Sequence, residues 1–187
     1  CSFAHSLAFC QAIEQLCNLE VSERAQALRV VTAEFERIAS HTRAAAALLH
    51  TLGMDSYASD LRHLREQAQQ ALQALSGARI IPDLCLPGGL RRDLTQRDRE
   101  TLLVALPKLN RSLFRFIDRL IDHRPLLART VEVGVLTRAA AEQFGVHGPL
   151  ARASGIQRDT RTDAPYAPHA RLNFKPRPWL EFGLSRT

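Results

Sequence analysis

The sequence predicts a mainly α-helical protein, a bundle of long antiparallel helices followed by an irregular C-terminal segment. Alanine, leucine, arginine, glutamate and glutamine, all good helix formers, dominate up to about Leu127. Apolar residues in this part recur every three or four positions, which is the spacing of a helix buried along one face. From Val146 onward, glycine, proline, aspartate, arginine and aromatic residues replace that pattern. We therefore expect one domain, with the helical bundle in residues 1–145 and an irregular loop and proline-rich tail in residues 146–187.

The first two helices are predicted from their apolar stripes and from the residues at their ends. A first helix should cover residues 2–18. Its spaced apolar positions are Phe3, Leu7, Cys10, Ile13 and Cys17. A second, unusually long helix should run through most of residues 22–52, because Ser22 can accept a hydrogen bond from the first turn and Gly53 permits the left-handed turn that ends a helix. The two cysteines of the first stripe are expected to be small buried hydrophobic residues.

Two more long helices complete the predicted bundle. Asp55 should cap a third helix over residues 56–75, which the following serine and glycine end. Thr95 should begin a fourth helix that reaches about His123, and Asp98, three residues after Thr95, favours a capping box there.

Prolines and glycines mark the places where the predicted helices are interrupted or end. Pro107 should kink or divide the fourth helix, because proline removes a backbone donor and clashes with the preceding turn. The stretch "ARIIPDLCLPGGLRRD" carries two prolines and a Gly-Gly pair, so we expect a loop, with a short extended piece at residues 79–81. Residues 137–145 should form a short helix that ends on glycine.

Charge and hydropathy argue against two classes of protein. The net charge is +6, but the basic residues are spread along the chain and interleaved with acids, as in "RRDLTQRDRE". A nucleic-acid-binding protein would concentrate them on one face. No stretch of about 18 uncharged apolar residues could span a membrane. We predict no nucleic-acid partner and no direct membrane span.

Cys1 and His5 are the first candidate metal ligands. They are four residues apart, so a helix places the thiol and the imidazole on one face, where they could bind a soft metal ion. Two ligands do not complete a metal site, and the alternative is that both residues are ordinary positions of an amphipathic helix. The four cysteines contain no CxxC pair, so a disulfide framework is not expected.

Two further groups of polar residues could carry chemistry. The motif "AEFERIASH" places Glu34, Arg37 and His41 along one flank of the second helix, and the alternative is a solvated edge with ordinary ion pairs. The motif "LPGGLRRD" sets two glycines before Arg91 and Arg92. Paired guanidinium groups suit a carboxylate, a phosphate or an acidic surface, although a plain surface loop is equally compatible with the pattern.

A third group lies in the irregular segment. The stretch "GPLARASGIQRDTRTDAPY" gathers arginines and aspartates into a constrained polar loop. Because loops of this kind often carry function, Asp159, Arg161 and Asp163 are candidate site residues.

Taken in order, four motifs resemble one known family. They are "CSFAHSLAFCQAIE", "ERAQALRVVTAEFERIASH", "PGGLRRD" and "GVLTRAAAEQFGVHGPLARASGIQRDTRTDAPY". The set resembles the large subunits of membrane-bound nickel–iron hydrogenases of the formate hydrogenlyase type. It equally resembles the quinone-site large subunit of respiratory complex I, the NADH:quinone oxidoreductase. The resemblance covers roughly residues 1–168.

The resemblance gives Cys1 and His5 a possible origin. They match the last cysteine and the histidine of R-x-C-G-x-C-x-x-x-H, whose cysteines bind nickel in hydrogenases. The rest of that motif would lie upstream, and no cysteine follows Cys85 to form the second ligand pair, D-P-C-x-x-C. The resemblance therefore implies a fragment or truncated form with a vestigial or incomplete nickel site. The retained Cys1 and His5 favour the hydrogenase branch, whereas "GVLTRAAAEQFGVHGP" and "SGIQRD" favour complex I, so both branches stay open.

The resemblance also implies cofactors, partners and a location. The full complex would hold a nickel–iron centre or a quinone, whereas the isolated chain would hold no cofactor and would be inactive. An iron–sulfur small subunit and other subunits of a membrane-bound redox complex would be the partners. The chain would be cytoplasmic and peripheral to the inner membrane.

The resemblance assigns roles to two sets of residues. Arg37, His41 and Arg91 would lie near the iron–sulfur cluster of the partner. The Asp159, Arg161 and Asp163 set would be the catalytic group and shape the polar wall of a central cavity. The competing hypothesis is a helical interaction or scaffold module that keeps the fold without redox chemistry.

Overall fold

The computed structural model describes residues 2–79, 83–166 and 169. It confirms a mainly α-helical fold, in which the described strands form one two-stranded antiparallel hairpin. In chain order the elements are α1 Ser2–Cys17, α2 Glu23–Thr51, α3 Asp55–Ser76, β1 Cys85–Leu86, β2 Gly89–Leu90, α4 Gln96–Ile121, α5 Arg124–Thr130, α6 Arg138–Gln143, α7 Pro149–Ala153 and α8 Thr160–Asp163.

The chain separates into two compact units, Cys1–His123 and Arg124–Thr187. The first unit contains α1 to α4 and the hairpin, and the second contains α5 to α8. The described helices of the second unit are short, with five residues in α7 and four in α8. The grouping of residues 1–145 and 146–187 into one domain stays a prediction.

The core of the first unit lies between its long helices. α2 packs against α3, and α3 packs against α4. The buried stripe of α3 consists of Ala58, Leu61, Leu64, Ala68, Ala71, Leu72 and Leu75. With 29 residues, α2 is about 43 Å long and gives the unit a rigid axis. None of the helices in the described part of the chain combines the length and the apolar character needed to cross a membrane.

The predicted caps of α2 and α4 are confirmed. The Ser22 hydroxyl accepts a hydrogen bond from the backbone N–H of Ala25. At the start of α4, Thr95 and Asp98 form a complete capping box, in which each side chain accepts from the other residue's backbone N–H. These bonds use backbone donors that the first turn of a helix leaves without intrahelical partners.

The prediction for the start of α3 is wrong. Asp55 is the first residue of the helix and Met54 takes the cap position without a side-chain bond. The Asp55 carboxylate pairs instead with the His50 imidazole across the α2–α3 turn. Gly53, with φ of 72°, makes that turn as expected.

Two other expectations for the bundle are corrected in part. Of the kink or division expected at Pro107, the division is wrong, because α4 continues through this residue, and the kink stays a prediction. Pro107 and Leu103, whose carbonyl loses its donor, are both exposed, so water can replace that hydrogen bond. Cys10 is buried as expected, but Cys17 is exposed at the end of α1. The extended piece expected at residues 79–81 falls largely outside the described residues.

The centre of α2 provides a test of this core. Phe35→Ala should lower the free energy of unfolding of the first unit by about 3–5 kcal/mol, because it leaves a cavity where a residue only 3% exposed was packed. Leu48→Ala on the same helix is the control, since Leu48 is 57% exposed and its loss should change stability by less than about 0.5 kcal/mol. Urea denaturation followed by circular dichroism measures both, and equal losses would contradict the packing described here.

Candidate functional site

A buried ion pair joins the first two helices. Arg29 of α2 donates two hydrogen bonds to Glu14 of α1, from Nη1 to Oε2 at 3.0 Å and from Nη2 to Oε1 at 2.6 Å. The side chains of Arg29 and Glu14 are 4% and 9% exposed. Because both charges are removed from water, such a pair needs further polar groups to complete its hydrogen bonding.

The hairpin supplies these groups from its backbone. Nη2 of Arg29 also donates to the carbonyl oxygens of Leu86 at 2.7 Å and Gly89 at 2.9 Å. The backbone N–H of Gly88 donates to Oε1 of Glu14 at 2.8 Å. Gly88 has φ of 84°, a conformation that glycine adopts without steric cost. The predicted "LPGG" loop is therefore a tight hairpin bound to both members of the ion pair.

The environment keeps this ion pair charged and the neighbouring Cys85 thiol neutral. Hydrogen bonds from Arg29 lower the pKa of Glu14 against the opposing effect of burial. Burial is the largest single effect and disfavours the charged guanidinium, but hydrogen bonding to Glu14 and the charge interactions with neighbouring groups together outweigh it, so the pKa of Arg29 is raised. Burial also raises the pKa of Cys85 to about 12, and the Cys10 thiol in contact with it acts in the same direction. The Cys85 thiol therefore acts as a small uncharged group beside the ion pair.

Arg91 is presented to solvent by the same hairpin. It follows β2 directly, and its backbone N–H donates to the carbonyl of Leu84 at 2.9 Å. Its guanidinium lies 2.8 Å from the Asp83 carboxylate, and the Arg91 side chain is 59% exposed. Arg92, its neighbour, pairs with Asp98 at 3.0 Å. Of the two guanidinium groups predicted from "LPGGLRRD", the more exposed one is Arg91.

Arg37 and His41 occupy an accessible flank of α2. Nε of Arg37 lies 3.4 Å from Oε2 of Glu34, in the i,i+3 pairing that the sequence suggested, and the Arg37 side chain is 37% exposed. His41 is exposed one helical turn further along. β2 packs against α2, so the hairpin that carries Arg91 is attached to the same helix. The assignment of these three residues to a partner's cluster stays a prediction.

The described residues do not assemble a metal site. His5 is exposed on α1, and Cys1 lies outside the described residues. Within residues 2–79, 83–166 and 169, no group of three or more histidine, cysteine, aspartate or glutamate side chains is placed to hold a metal ion. The assignment of Cys1 and His5 to a vestigial or incomplete nickel site stays a prediction, and we assign no chemical step to nickel.

In the second unit, the structure brings Asp159, Arg161 and Asp163 together. The Asp159 carboxylate accepts three hydrogen bonds from Arg161, from its backbone N–H at 3.0 Å, Nε at 3.0 Å and Nη2 at 2.8 Å. Arg152 of α7 donates to the same carboxylate at 3.2 Å. Asp163 accepts from the Asp159 backbone N–H at 3.1 Å, which closes the turn that begins α8.

These contacts determine the charge state of Asp159. The hydrogen bonds from Arg161 lower its pKa to about 2, against the opposing effect of burial. The carboxylate is therefore ionised near neutral pH and its oxygens are fully used. Such a group does not donate protons at neutral pH. What it can do is hold the guanidinium groups of Arg152 and Arg161, which are 15% and 12% exposed, in fixed positions.

Sequence reasoning missed three residues of these networks: Glu14, Arg29 and Arg152. One signal was available for Glu14, since it continues the buried stripe of Phe3, Leu7 and Cys10 at helical spacing. A charged residue at a core position requires a partner of opposite charge. For Arg29 and Arg152 the sequence offered many arginines and no means of choosing among them.

Comparison with known proteins identifies the family. The sequence profile of the family described as "Respiratory-chain NADH dehydrogenase, 49 Kd subunit" matches residues 52–179. The chain belongs to this family. The match includes the hairpin with Arg91 and the Asp159 cluster, and it confirms the resemblance inferred from the ordered motifs.

Relatives from both branches of the family are similar to the chain. A carbon monoxide-induced hydrogenase of Rhodospirillum rubrum is 36% identical over 94% of this chain and 49% of its own length. Formate hydrogenlyase subunit 5 of Escherichia coli is 35% identical over 92% of this chain and 30% of its own length. A subunit of the NADH-quinone oxidoreductase of Sinorhizobium medicae is 35% identical over 93% of this chain and 43% of its own length. The chain thus spans less than half the length of each.

A solved structure supports the same fold. One chain of the membrane-bound sulfane sulfur reductase, an archaeal respiratory membrane complex, superposes with a TM-score of 0.81 at 27% identity. The superposition covers 87% of this chain and 44% of that chain. Because the curated relatives match 92–94% of this chain, the family likeness also extends over most of residues 1–51, where Glu14, Arg29, Arg37 and His41 lie.

The ion pair provides the first prediction for this site. Glu14→Gln should lower the free energy of unfolding of the first unit by about 3–5 kcal/mol, because Arg29 is left buried beside a neutral group. Asp93→Asn is the control, since it removes the Arg24–Asp93 pair, whose side chains are 65% and 66% exposed, and should have a much smaller effect. Chemical denaturation at neutral pH measures the loss of unfolding free energy in both variants. Similar losses would show that the buried pair contributes no more to stability than the exposed pair.

Asp159 provides a pH-dependent prediction. Its native pKa of about 2 lies below the value of about 3.9 expected for an unfolded chain, so the ionised carboxylate stabilises the second unit at pH above about 4. That stabilisation, about 2 kcal/mol, should be lost as the pH falls towards 2. Asp159→Asn should lack this dependence. Hydrogen exchange at the Arg161 amide, corrected for the intrinsic exchange rate, measures the stability of the second unit at each pH.

The matched control for this experiment is Glu142→Gln. It removes the exposed Arg138–Glu142 pair in the same unit and should follow the unmodified chain at every pH. If Asp159→Asn also followed the unmodified chain, the carboxylate would not have the lowered pKa assigned to it.

Proposed function

We propose that this chain is part of the large subunit of a membrane-associated oxidoreductase complex and takes part in electron transfer with an iron–sulfur partner subunit. The observation that carries the proposal is the likeness, over more than nine-tenths of the chain, to hydrogenase and NADH-quinone oxidoreductase subunits alike. The two activities use different reacting groups, nickel–iron or quinone, but both require electrons to pass between the large subunit and a metal cluster. Electron transfer is therefore the function proposed for the chain.

The accessible flank of α2 and the hairpin form the proposed partner face, defined by Arg37, His41 and Arg91. Two guanidinium groups close to a cluster favour its reduced, more negative state and raise its potential. The His41 imidazole adds a group that can bind a proton near neutral pH when the cluster is reduced. The exposure of His41 and Arg91 supports this role, because a docking partner could reach both.

For Asp159, Arg161 and Asp163 we propose a role in shaping the polar wall of the cavity in the assembled complex. Since the Asp159 carboxylate is held ionised by Arg152 and Arg161, its contribution is to orient these two guanidinium groups. The Asp163 carboxylate fixes the backbone turn at Asp159. These residues would thus orient polar groups toward a substrate, and the ionised Asp159 carboxylate would not supply a proton itself.

We further propose that the chain sits on the cytoplasmic side, peripheral to the membrane, and that other subunits anchor the complex. The names of the relatives support a membrane association, since they include a membrane-bound hydrogenase subunit of Pyrococcus furiosus. The solved structure similar to the chain also comes from a respiratory membrane complex.

Arg91 tests the proposed function in the whole complex, expressed with its neighbouring subunits and purified through a tag on another subunit. The chain should copurify with an iron–sulfur subunit. Arg91→Gln should lower the midpoint potential of the nearest cluster by about 40 mV, equivalent to roughly 1 kcal/mol for one electron, because a positive charge is lost. Redox titration followed by electron paramagnetic resonance measures the potential.

The control for this variant is Arg43→Gln, since Arg43 is an exposed arginine on α2 about 200° around the helix from His41. It should leave the potential unchanged. A complex that lacks an iron–sulfur subunit, or an Arg91→Gln complex whose clusters keep their potentials, would overturn the proposed function.

A further inference from the structure

We propose that Glu14 and Arg29 are positioning residues for Arg91, holding its hairpin at a fixed place along α2. The inference rests on the proposed function, in which Arg91 faces the cluster of a partner subunit. It assigns a role to a buried ion pair that does not reach that face itself.

The first support is the number of backbone groups that the pair holds. Arg29 binds the carbonyl oxygens of Leu86 and Gly89, and Glu14 binds the N–H of Gly88. Three of the four residues 86–89 at the tip of the hairpin are thus fixed by two side chains from two different helices. A hairpin of two-residue strands has too few hydrogen bonds of its own to be stable in isolation. Its placement therefore depends on the ion pair.

The second support is the short path from the tip to Arg91. Arg91 follows β2 directly, and its N–H bonds to the carbonyl of Leu84 on the opposite arm. Its guanidinium then pairs with Asp83, also on that arm. Both contacts lie within the hairpin, so a movement of the hairpin moves Arg91 with it.

The third support is that Arg29 lies on the helix that carries the other two predicted residues. Arg37 and His41 are 8 and 12 residues further along α2, about 12 and 18 Å from Arg29 along a rigid axis. By tying the hairpin to Arg29, the structure fixes Arg91 relative to Arg37 and His41. A partner subunit would meet the three groups in one arrangement, as precise tuning of a cluster requires.

Arg29→Lys separates positioning from folding. Lysine keeps the positive charge beside Glu14, but its single ammonium group cannot reproduce the two-nitrogen fork that binds the carboxylate and two carbonyl oxygens together. In the purified chain, the Gly88 amide should exchange its hydrogen about tenfold faster in this variant, because the hairpin opens locally. Arg24→Lys on the same helix is the control and should leave that rate unchanged.

The decisive measurement is the midpoint potential of the nearest cluster in the intact complex. Arg29→Lys should lower this potential by part of the amount that Arg91→Gln lowers it. In a chain that already carries Arg91→Gln, Arg29→Lys should cause no further change in the potential. A merely structural role predicts loss of assembly or additive shifts. If Arg29→Lys prevents assembly, Glu14→Asp, which keeps the charge and shortens the reach, enters the same double-variant cycle.

The outcomes separate this inference from the proposed function. If Arg91→Gln itself leaves the potential unchanged, the proposed function is wrong. If Arg91→Gln shifts the potential while Arg29→Lys or Glu14→Asp shifts nothing, or shifts it equally in the Arg91→Gln background, the positioning role is wrong and the proposed function stands.

Discussion

The buried ion pair of Glu14 and Arg29 is the interaction on which the arrangement of the first unit depends. Removing two charges from water costs several kcal/mol for each ion, and their mutual attraction compensates only when the remaining donors and acceptors are satisfied. Here the backbone of the hairpin supplies three such partners, two to Arg29 and one to Glu14, while Nε of Arg29 is left without one among the described residues. The groups involved lie 15 to 74 residues apart in the sequence, so one network fixes α1, α2 and the hairpin in the same place. Without the hairpin the pair would be costly, and without the pair the hairpin would have little to hold it.

Most of the helical architecture could be predicted because its signals are local. The apolar stripe of α2, its cap at Ser22 and its stop at Gly53 lie within the helix itself. The errors arose where a local signal had a competing partner. Asp55 could have capped α3, but His50 across the turn binds its carboxylate. Pro107 would break a buried helix, but on the exposed side of α4 water can replace the lost bond.

In the candidate site, too, local spacing made some residues predictable, whereas others depend on tertiary packing. Arg37 and His41 could be predicted because their spacing on one helix determines that they share a flank, and the grouping of Asp159, Arg161 and Asp163 follows from residues four apart or fewer. Their proposed roles came from the ordered motifs, since spacing alone also fits a solvated edge. Arg29 could not be chosen from the sequence, because what distinguishes it from other arginines is burial beside Glu14 and three backbone groups brought by tertiary packing.

The position of each arginine determines what its charge can do. On α2, Arg29 is surrounded by acceptors that neutralise its field within a few ångströms, so its charge acts on its immediate neighbours and has little influence outside the unit. Arg91 pairs with Asp83 and is exposed to solvent. On the proposed function, a docking partner would exclude this water, and the field of Arg91 would strengthen because the local dielectric falls. On the proposed function, the buried arginine determines geometry and the exposed arginine determines potential.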